Sequence, residues 1–298
     1  MRINDVRNLK APLNLVYLSF AGWACVYSVE AYLHLGFELG GSLTFMGIIF
    51  GIYTMNRLTD TVEDFTNDIG RLLFFQHKRI FFCLGAFSLA ASAGWLLWEG
   101  KLTWLHYLLM CIGLGYSFRI VPWYARGGMR WTRIKEMVLV KNLSVAFLWG
   151  AAIFLVPIHY AAIRNINEAH VWLLAAGLII SCFNSTLFDD IVDEPGDRVA
   201  GIKTVPTVWG VHRSIRILLS IDAAWTLLAV TLAFAYRVNA GHAMFLVGMG
   251  LYPLAYLLPH SRSLNVGGKS GTGRWPVESL AEGNLIFFAV GMLLLRVG

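Results

Sequence analysis

Asn56, Asp60 and Asp64 stand four residues apart at the end of a long apolar run. At about 100° per residue on a helix, positions so spaced fall within about 80° of arc, one above another. An aspartate at the centre of a spanning helix costs roughly 2.5 to 3.5 kcal/mol. Acids gathered at the edge of an apolar run therefore need a compensating cation, and oxygen ligands suit a hard divalent ion such as Mg²⁺. A second group, Asp190, Asp193 and Asp197, closes another apolar run far along the chain. On an unbroken helix these three would lie within about 60° of arc. The Pro195-Gly196 pair is expected to break that helix and leave Asp197 to a loop. One such cluster could be a solvated helix end. Two on the same side of a membrane are better explained by a substrate diphosphate bridged to both through metal ions, because Mg²⁺ commonly shares its coordination with substrate phosphates. The spacing of a calcium EF-hand is missing from this second group.

Between the two clusters lie Tyr116-Ser117 and a basic stretch with Arg119, Arg126, Arg130, Arg133, Lys135 and Lys141. Some of these charges meet anionic headgroups. Lys135 and Lys141 stand where the next apolar run begins and are the better candidates for phosphate contact. Lys141 would lie below the membrane surface, where a lysine needs a partner. Phe118, Trp123, Tyr124 and Phe188 near the same ends could face a carbocation or form an interfacial aromatic belt. Glu30 and Asp222 are expected to face the bundle interior or water, and Glu278 and Glu282 to stand one turn apart at the start of a last helix. His106, His159, His170 and His242 fall at the opposite ends of the apolar runs and carry no chemistry.

The elements that must position these residues are membrane helices. The 298-residue chain is 57% hydrophobic and 14% charged, against about 25% charged in a soluble domain. Nine apolar runs approach the length needed to cross about 30 Å of hydrocarbon at 1.5 Å per residue. They cover about 12–34, 42–59, 79–98, 102–118, 137–157, 170–188, 214–236, 241–259 and 279–296. No intervening segment is long enough to fold alone, so residues 1–298 are expected to form one all-α membrane domain. Of the 24 Lys and Arg residues, twenty fall on one side if the amino terminus is cytoplasmic, which places both acidic clusters and the loops after the even-numbered helices in the cytoplasm. The net charge of +6 then belongs to the inner loops and implies no nucleic-acid partner. The inner loops at 60–78, 119–136 and 189–213 are long enough to be functional, whereas 260–277 reads as a flexible linker. Its glycines lack the spacing of a phosphate loop. Cys25, Cys83, Cys111 and Cys182 read as buried small hydrophobes without disulfide or zinc spacing.

Asn56-x-x-x-Asp60-x-x-x-Asp64, together with Asp190-x-x-Asp193-x-x-x-Asp197-Arg198-x-x-Gly201-x-x-Thr204, resembles the paired signatures of the UbiA-type intramembrane prenyltransferases. Tyr116-Ser117, Arg133-x-Lys135, Lys141-Asn142, the nine-helix count and the chain length are also similar to that family. The resemblance implies a nine-helix bundle around a central cavity, capped by the loops after the second and sixth helices. It implies that Asn56, Asp60 and Asp64 form one Mg²⁺ site and Asp190, Asp193 and Asp197 the other. Asp60, Asp64, Asp190 and Asp193 would then carry the chemistry. Lys135, Lys141 and Arg198 would bind the diphosphate, and Tyr116 would lie near the reacting carbon. Asp68 and Asp189 receive no role. Pro195 departs from the usual small or acidic residue. The implied reaction is transfer of an isoprenyl group from a prenyl diphosphate to a hydrophobic, aromatic-type acceptor within the membrane. A terpene cyclase of the same architecture needs the same ionisation machinery and stands as the alternative. An ion or lipid transporter would instead place its acids deep within helices, and an alcohol phosphotransferase would open on an Asp-Gly-x-x-Ala-Arg motif that this chain lacks.

Overall fold

A computed structural model describes residues 10–36, 38–59, 74, 76–116, 118–125, 128–161 and 169–265. Their helices are α1 (Lys10–Tyr32), α2 (Leu39–Thr59), α3 (Lys78–Trp98), α4 (Trp104–Gly115), α5 (Val140–Tyr160), α6 (Ala169–Ala200), α7 (Val205–Trp209), α8 (Val211–Ala235), α9 (Ala240–Leu251) and α10 (Leu254–Asn265). Among the described residues, seven stretches are long and apolar enough to cross a membrane: α1, α2, α3, α5, α6, α8, and α9 with α10 taken together. Large apolar side chains such as Phe87, Leu97, Phe147, Leu227 and Phe234 are exposed on their outer faces. So much outward apolar surface is what lipid, not water, covers. The protein is a multi-pass membrane protein.

The bundle is held by pairs α2–α3, α5–α6, α1–α2 and α8–α9, with α6 also packed on α8 and α1 on α5. A contiguous core runs through Phe45, Ile48 and Ile52 of α2, Ile153 of α5, and Leu174, Leu187 and Phe188 of α6. Gly150 brings α5 hard against α6, since a Cβ there would lie 2.7 Å from the Ile179 Cα. At one end of the bundle His106, buried, caps α4 through its Nδ1, which accepts from the Thr103 amide at 3.2 Å. Its Nε2 meets the Tyr160 hydroxyl at 2.8 Å and ties α4 to α5. This histidine is an interior strut, not the interfacial residue its sequence position implied. Asp222 faces the interior as expected, accepting a hydrogen bond from Asn184 Nδ2, and Glu30 is buried beside Ser42.

Several expectations are corrected. Pro195-Gly196 does not break α6, which runs on to Ala200. A proline removes one amide and crowds one carbonyl, at a cost of about 3 kcal/mol. Burial of the apolar Ile191 and Val192 in the turn before it acts against that loss. The stop is Gly201, at φ +72°. The Gly201 amide donates to the Arg198 carbonyl and the Ile202 amide to the Asp197 carbonyl at 2.8 Å, which is a Schellman closure. The run at 102–118 yields only the 12 residues of α4, about 18 Å and short of a span. The run at 241–259 is two helices, because Pro253 interrupts it. The start of the 260–277 segment is helical as far as Asn265. Cys83 and Cys111 are exposed on α3 and α4, while Cys25 and Cys182 are buried. Helices facing lipid gain nothing by turning small apolar residues inward. The loop at 119–136 contains an antiparallel hairpin of β1 (Val121–Ala125) and β2 (Gly128–Thr132). The strands pair from Val121 with Thr132 to Ala125 with Gly128, which sits at φ +105°. The run at 279–296, with Glu278 and Glu282, lies outside the described residues.

Candidate active site

One cavity gathers side chains from four helices and one short turn. α2 contributes Ile52, Tyr53, Asn56 and Arg57, and the end of α4 contributes Ile112, Gly113 and Tyr116. A 3-10 turn at Ile134–Glu136 contributes Lys135. α5 presents Lys141, Ser144, Val145, Leu148 and Trp149, and α6 presents Thr186, Asp189, Asp190, Asp193 and Asp197. On α5 those positions are i, i+3, i+4, i+7 and i+8, the stripe one helix face shows to one neighbour. On α6 the offsets 0, 3, 4, 7 and 11 from Thr186 follow the same period. The wall is polar toward Asn56, Lys135, Lys141 and the α6 acids. It is apolar toward Ile52, Val145, Leu148 and Trp149.

Local structure fixes the two lysines. Arg133 Nε donates to Glu136 Oε1 at 2.6 Å and Thr132 Oγ1 to Glu136 Oε2 at 2.8 Å. Burial opposes the charge on Glu136, but these hydrogen bonds outweigh it and bring its carboxyl down to about 2. The clamped turn holds Lys135, which is 5% exposed. Leu139 then sits at φ +65° and ψ −39°, with the Val140 amide donating to the Val138 carbonyl at 2.8 Å, a strained γ-turn. That kink starts α5 so that Lys141 enters the wall two residues later. Lys141 Nζ donates to Asp190 Oδ1, and Asn142 Nδ2 donates to Asp190 Oδ2 at 2.9 Å. Asp190 and Asn142 are both fully buried. Two turns further on, Asp197 is buried with its Oδ2 lacking any partner.

Of the residues singled out by sequence, the cavity brings together Asn56, Tyr116, Lys135, Lys141, Asp190, Asp193 and Asp197. Asp60, Asp64 and Asp68 lie outside the described residues. Arg198 is not in the cavity wall: its side chain is 63% exposed and pairs with Glu194 one turn back on α6. Phe188 packs on Tyr256 and His260 behind α6 instead of facing the cavity. Phe118 and Tyr124 are exposed. The aromatic rings that do line the cavity are Tyr53, Tyr116 and Trp149, with Tyr53 and Trp149 stacked at 5.9 Å between centroids. Sequence reasoning missed Tyr53, Trp149 and Ser144, and gave Asn142 no task. Their signal was spacing: Tyr53 is three residues before Asn56, and Ser144 and Trp149 three and eight after Lys141.

The donor set suits a hard cation. Every acidic or amide side chain facing the polar end offers oxygen, and the buried Asp197 oxygen has an unused lone pair. Among the described residues no three acids, histidines or cysteines converge on a single point.

Comparison with known proteins fits this geometry. The model described as UbiA prenyltransferase family matches residues 16–266. A digeranylgeranylglyceryl phosphate synthase of Thermococcus sibiricus is 33% identical over 123 residues, 41% of this chain and 38% of that protein, so the alignment spans well under half of the relative. The structure of a UbiA homolog from Archaeoglobus fulgidus bound to GPP and Mg²⁺ superposes with a TM-score of 0.62 at 15% identity, covering 98% of this chain and 100% of the other. The apo structure of a UbiA homolog from Aeropyrum pernix K1 gives 0.59 at 15% identity, covering 94% and 98%. At such identities the structural likeness is one of fold.

Proposed function

The chain belongs to the UbiA prenyltransferase family, and from that premise we propose that it transfers an isoprenyl group from a prenyl diphosphate to a hydrophobic acceptor with the help of Mg²⁺. The observation that carries this reading is the division of one cavity into a polar part, with lysines and carboxylates, and an apolar part lined by Ile52, Leu148 and Trp149. The diphosphate lies at the first and the isoprenoid tail at the second. Asn56, Asp193 and Asp197, with Asp60 and Asp64, are the residues that would hold the metal, Asp190 joining them. Mg²⁺ bound there would neutralise charge on the diphosphate oxygens and act as a Lewis acid.

The residues of the chain do the rest. Lys135 and Lys141 supply positive charge where negative charge grows as the allylic C–O bond breaks and its electron pair leaves with pyrophosphate. Ile52, Ile112, Val145 and Leu148 keep water from the carbocation. Ring faces of Tyr53, Tyr116 and Trp149 can stabilise it. The acceptor forms the new bond to the allylic carbon and gives up a proton, which leaves with pyrophosphate. By the bias of Lys and Arg, the polar end opens to the cytoplasm. An aromatic acceptor follows from the sequence resemblance. A glyceryl phosphate is a second reading, favoured by the name of the Thermococcus sibiricus relative.

Purified protein with Mg²⁺, prenyl diphosphates of graded length and a panel of aromatic and glyceryl phosphate acceptors, read by mass spectrometry, tests the proposal. A prenylated acceptor should form with wild type and not with Asp193→Ala, which should still fold and insert. A cyclic hydrocarbon formed without acceptor would overturn transfer in favour of cyclisation. Wild-type turnover by Asp193→Ala would remove that residue from the mechanism.

A further inference from the structure

Both carboxylate oxygens of Asp190 are taken by α5, Oδ1 by the Lys141 ammonium and Oδ2 by the Asn142 amide at 2.9 Å. The two hydrogen bonds differ in how firmly they are held. Asn142 is 1% exposed and Asp190 2%, so neither side chain has room to turn away. The Lys141 side chain is 26% exposed and forms part of the cavity wall. It has four rotatable bonds and three donors, and it can reach another anion in the same cavity. The lone pair that Asp190 Oδ1 gives to an ammonium is not open to a divalent cation, and the two positive charges would repel if they shared that oxygen.

We propose that Lys141 is an exchange residue: it occupies Asp190 Oδ1 until a diphosphate enters the cavity, then turns to the diphosphate and opens that oxygen to the metal. Asn142 keeps the carboxylate aimed while the lysine leaves. This deepens the prenyl diphosphate reading above and rests on it. Exchange makes the binding of metal and diphosphate depend on one another, and such coupling is reciprocal in free energy. It also sets an order. A metal ion alone meets a carboxylate already neutralised by lysine, whereas a diphosphate arriving first takes the lysine and strengthens the metal site.

The test is equilibrium binding of Mn²⁺, followed by electron paramagnetic resonance of the free ion, to purified full-length protein with and without inorganic pyrophosphate. In wild type, pyrophosphate should raise Mn²⁺ affinity at least tenfold. Lys141→Met should raise Mn²⁺ affinity without pyrophosphate about tenfold and shrink the gain that pyrophosphate brings. Lys135→Met removes an equal charge from the same cavity while the Lys141–Asp190 pair stays in place, and should change Mn²⁺ affinity less than about threefold. Equal effects of the two lysine variants, or no rise with Lys141→Met, would overturn the exchange while leaving the diphosphate site standing. Absence of both Mn²⁺ and pyrophosphate binding in wild type would overturn the site and the exchange together. Should Lys141→Met not elute as folded protein, Asp190→Asn reads the same pair from its other side. It should raise pyrophosphate affinity measured without metal, and more than Asp193→Asn does. Equal effects of those two would also overturn the exchange.

Discussion

Gly150 offers a test of what holds the two halves of the cavity together. A Cβ at this position would lie 2.7 Å from the Ile179 Cα and 2.9 Å from its amide nitrogen. Carbon atoms in contact settle at about 3.5 to 4.0 Å, so Gly150→Ala forces α5 and α6 apart by about 1 Å. The clash is with backbone, so no rotamer change relieves it. Overpacking of this kind costs typically 1 to 3 kcal/mol. At roughly 2 to 4 °C per kcal/mol for a chain of 150 to 250 residues, thermal unfolding in detergent should shift down by several degrees. The same displacement acts on function. Lys141 and Asp190 meet across this helix pair, nine residues along α5 from Gly150, or about 13 Å. A misplacement near 1 Å between reacting groups can cost about a hundredfold in rate. Pyrophosphate release by Gly150→Ala should therefore fall by roughly ten- to a hundredfold in protein that still inserts and elutes normally. An unfolding midpoint within about 1 °C of wild type, with turnover within about twofold, would refute the claim that close packing at Gly150 sets the distance between the lysine and the acids.

Two further outcomes follow from the cavity and its rim. Trp149 lines the apolar part of the cavity, two turns of α5 or about 12 Å from Lys141. Trp149→Leu should move the ratio of kcat/KM toward diphosphates one or more isoprene units longer by at least about tenfold, the scale on which apolar pockets discriminate, as measured by competition between chain lengths. Glu136 has its carboxyl depressed from 4.5 to about 2 by the hydrogen bonds from Thr132 and Arg133, against the opposing effect of burial. A depressed folded-state value stabilises the fold above the unfolded value and loses that contribution as pH falls. The gap in unfolding midpoint between wild type and Glu136→Gln should thus be constant above about pH 5 and close between about pH 4.5 and 2. A gap that persisted at pH 2 would show that the clamp is not ionic.

What was legible in the sequence depended on whether the signal was local. Apolar length announced the helices. Lys135 and Lys141 could be singled out because a cation at a membrane boundary needs an anion. The partner of Lys141, however, is Asp190, 49 residues away, and no local pattern encodes that pairing. The end of α6 was misjudged because proline is the stronger local breaker, while the Schellman closure at Gly201 depends on a hydrogen bond from the amide of the residue after it. The hairpin at Val121–Thr132 was missed although a two-residue connection between short runs was there to see. Charge in that loop drew the eye to arginines instead. Trp149 escaped notice for a different reason. An aromatic residue in an apolar helix has no distinguishing mark until the facing helices show that its stripe begins at a lysine.

The unbroken course of α6 bears directly on which ligand the acids can hold. Asp190 and Asp197 are seven residues apart on one continuous helix, a rise of about 10 Å. Mg²⁺ reaches its ligands at about 2.1 Å, so no single ion can touch both carboxylates. Had Pro195-Gly196 broken the helix, Asp197 could have folded back toward Asp190 to share one ion, and the cluster would read as a compact single-metal site. A straight helix instead spreads its carboxylates along a line, with Lys141 at one end and the unpartnered oxygen of Asp197 near the other. A ligand that answers charge along such a line must itself carry several charges over several ångströms and must bring cations with it. A metal-bound diphosphate has that form, and a lone cation or a proton does not. Breaking the helix between the acids, as by inserting two glycines between Glu194 and Pro195, should therefore weaken diphosphate binding even though every acid is retained.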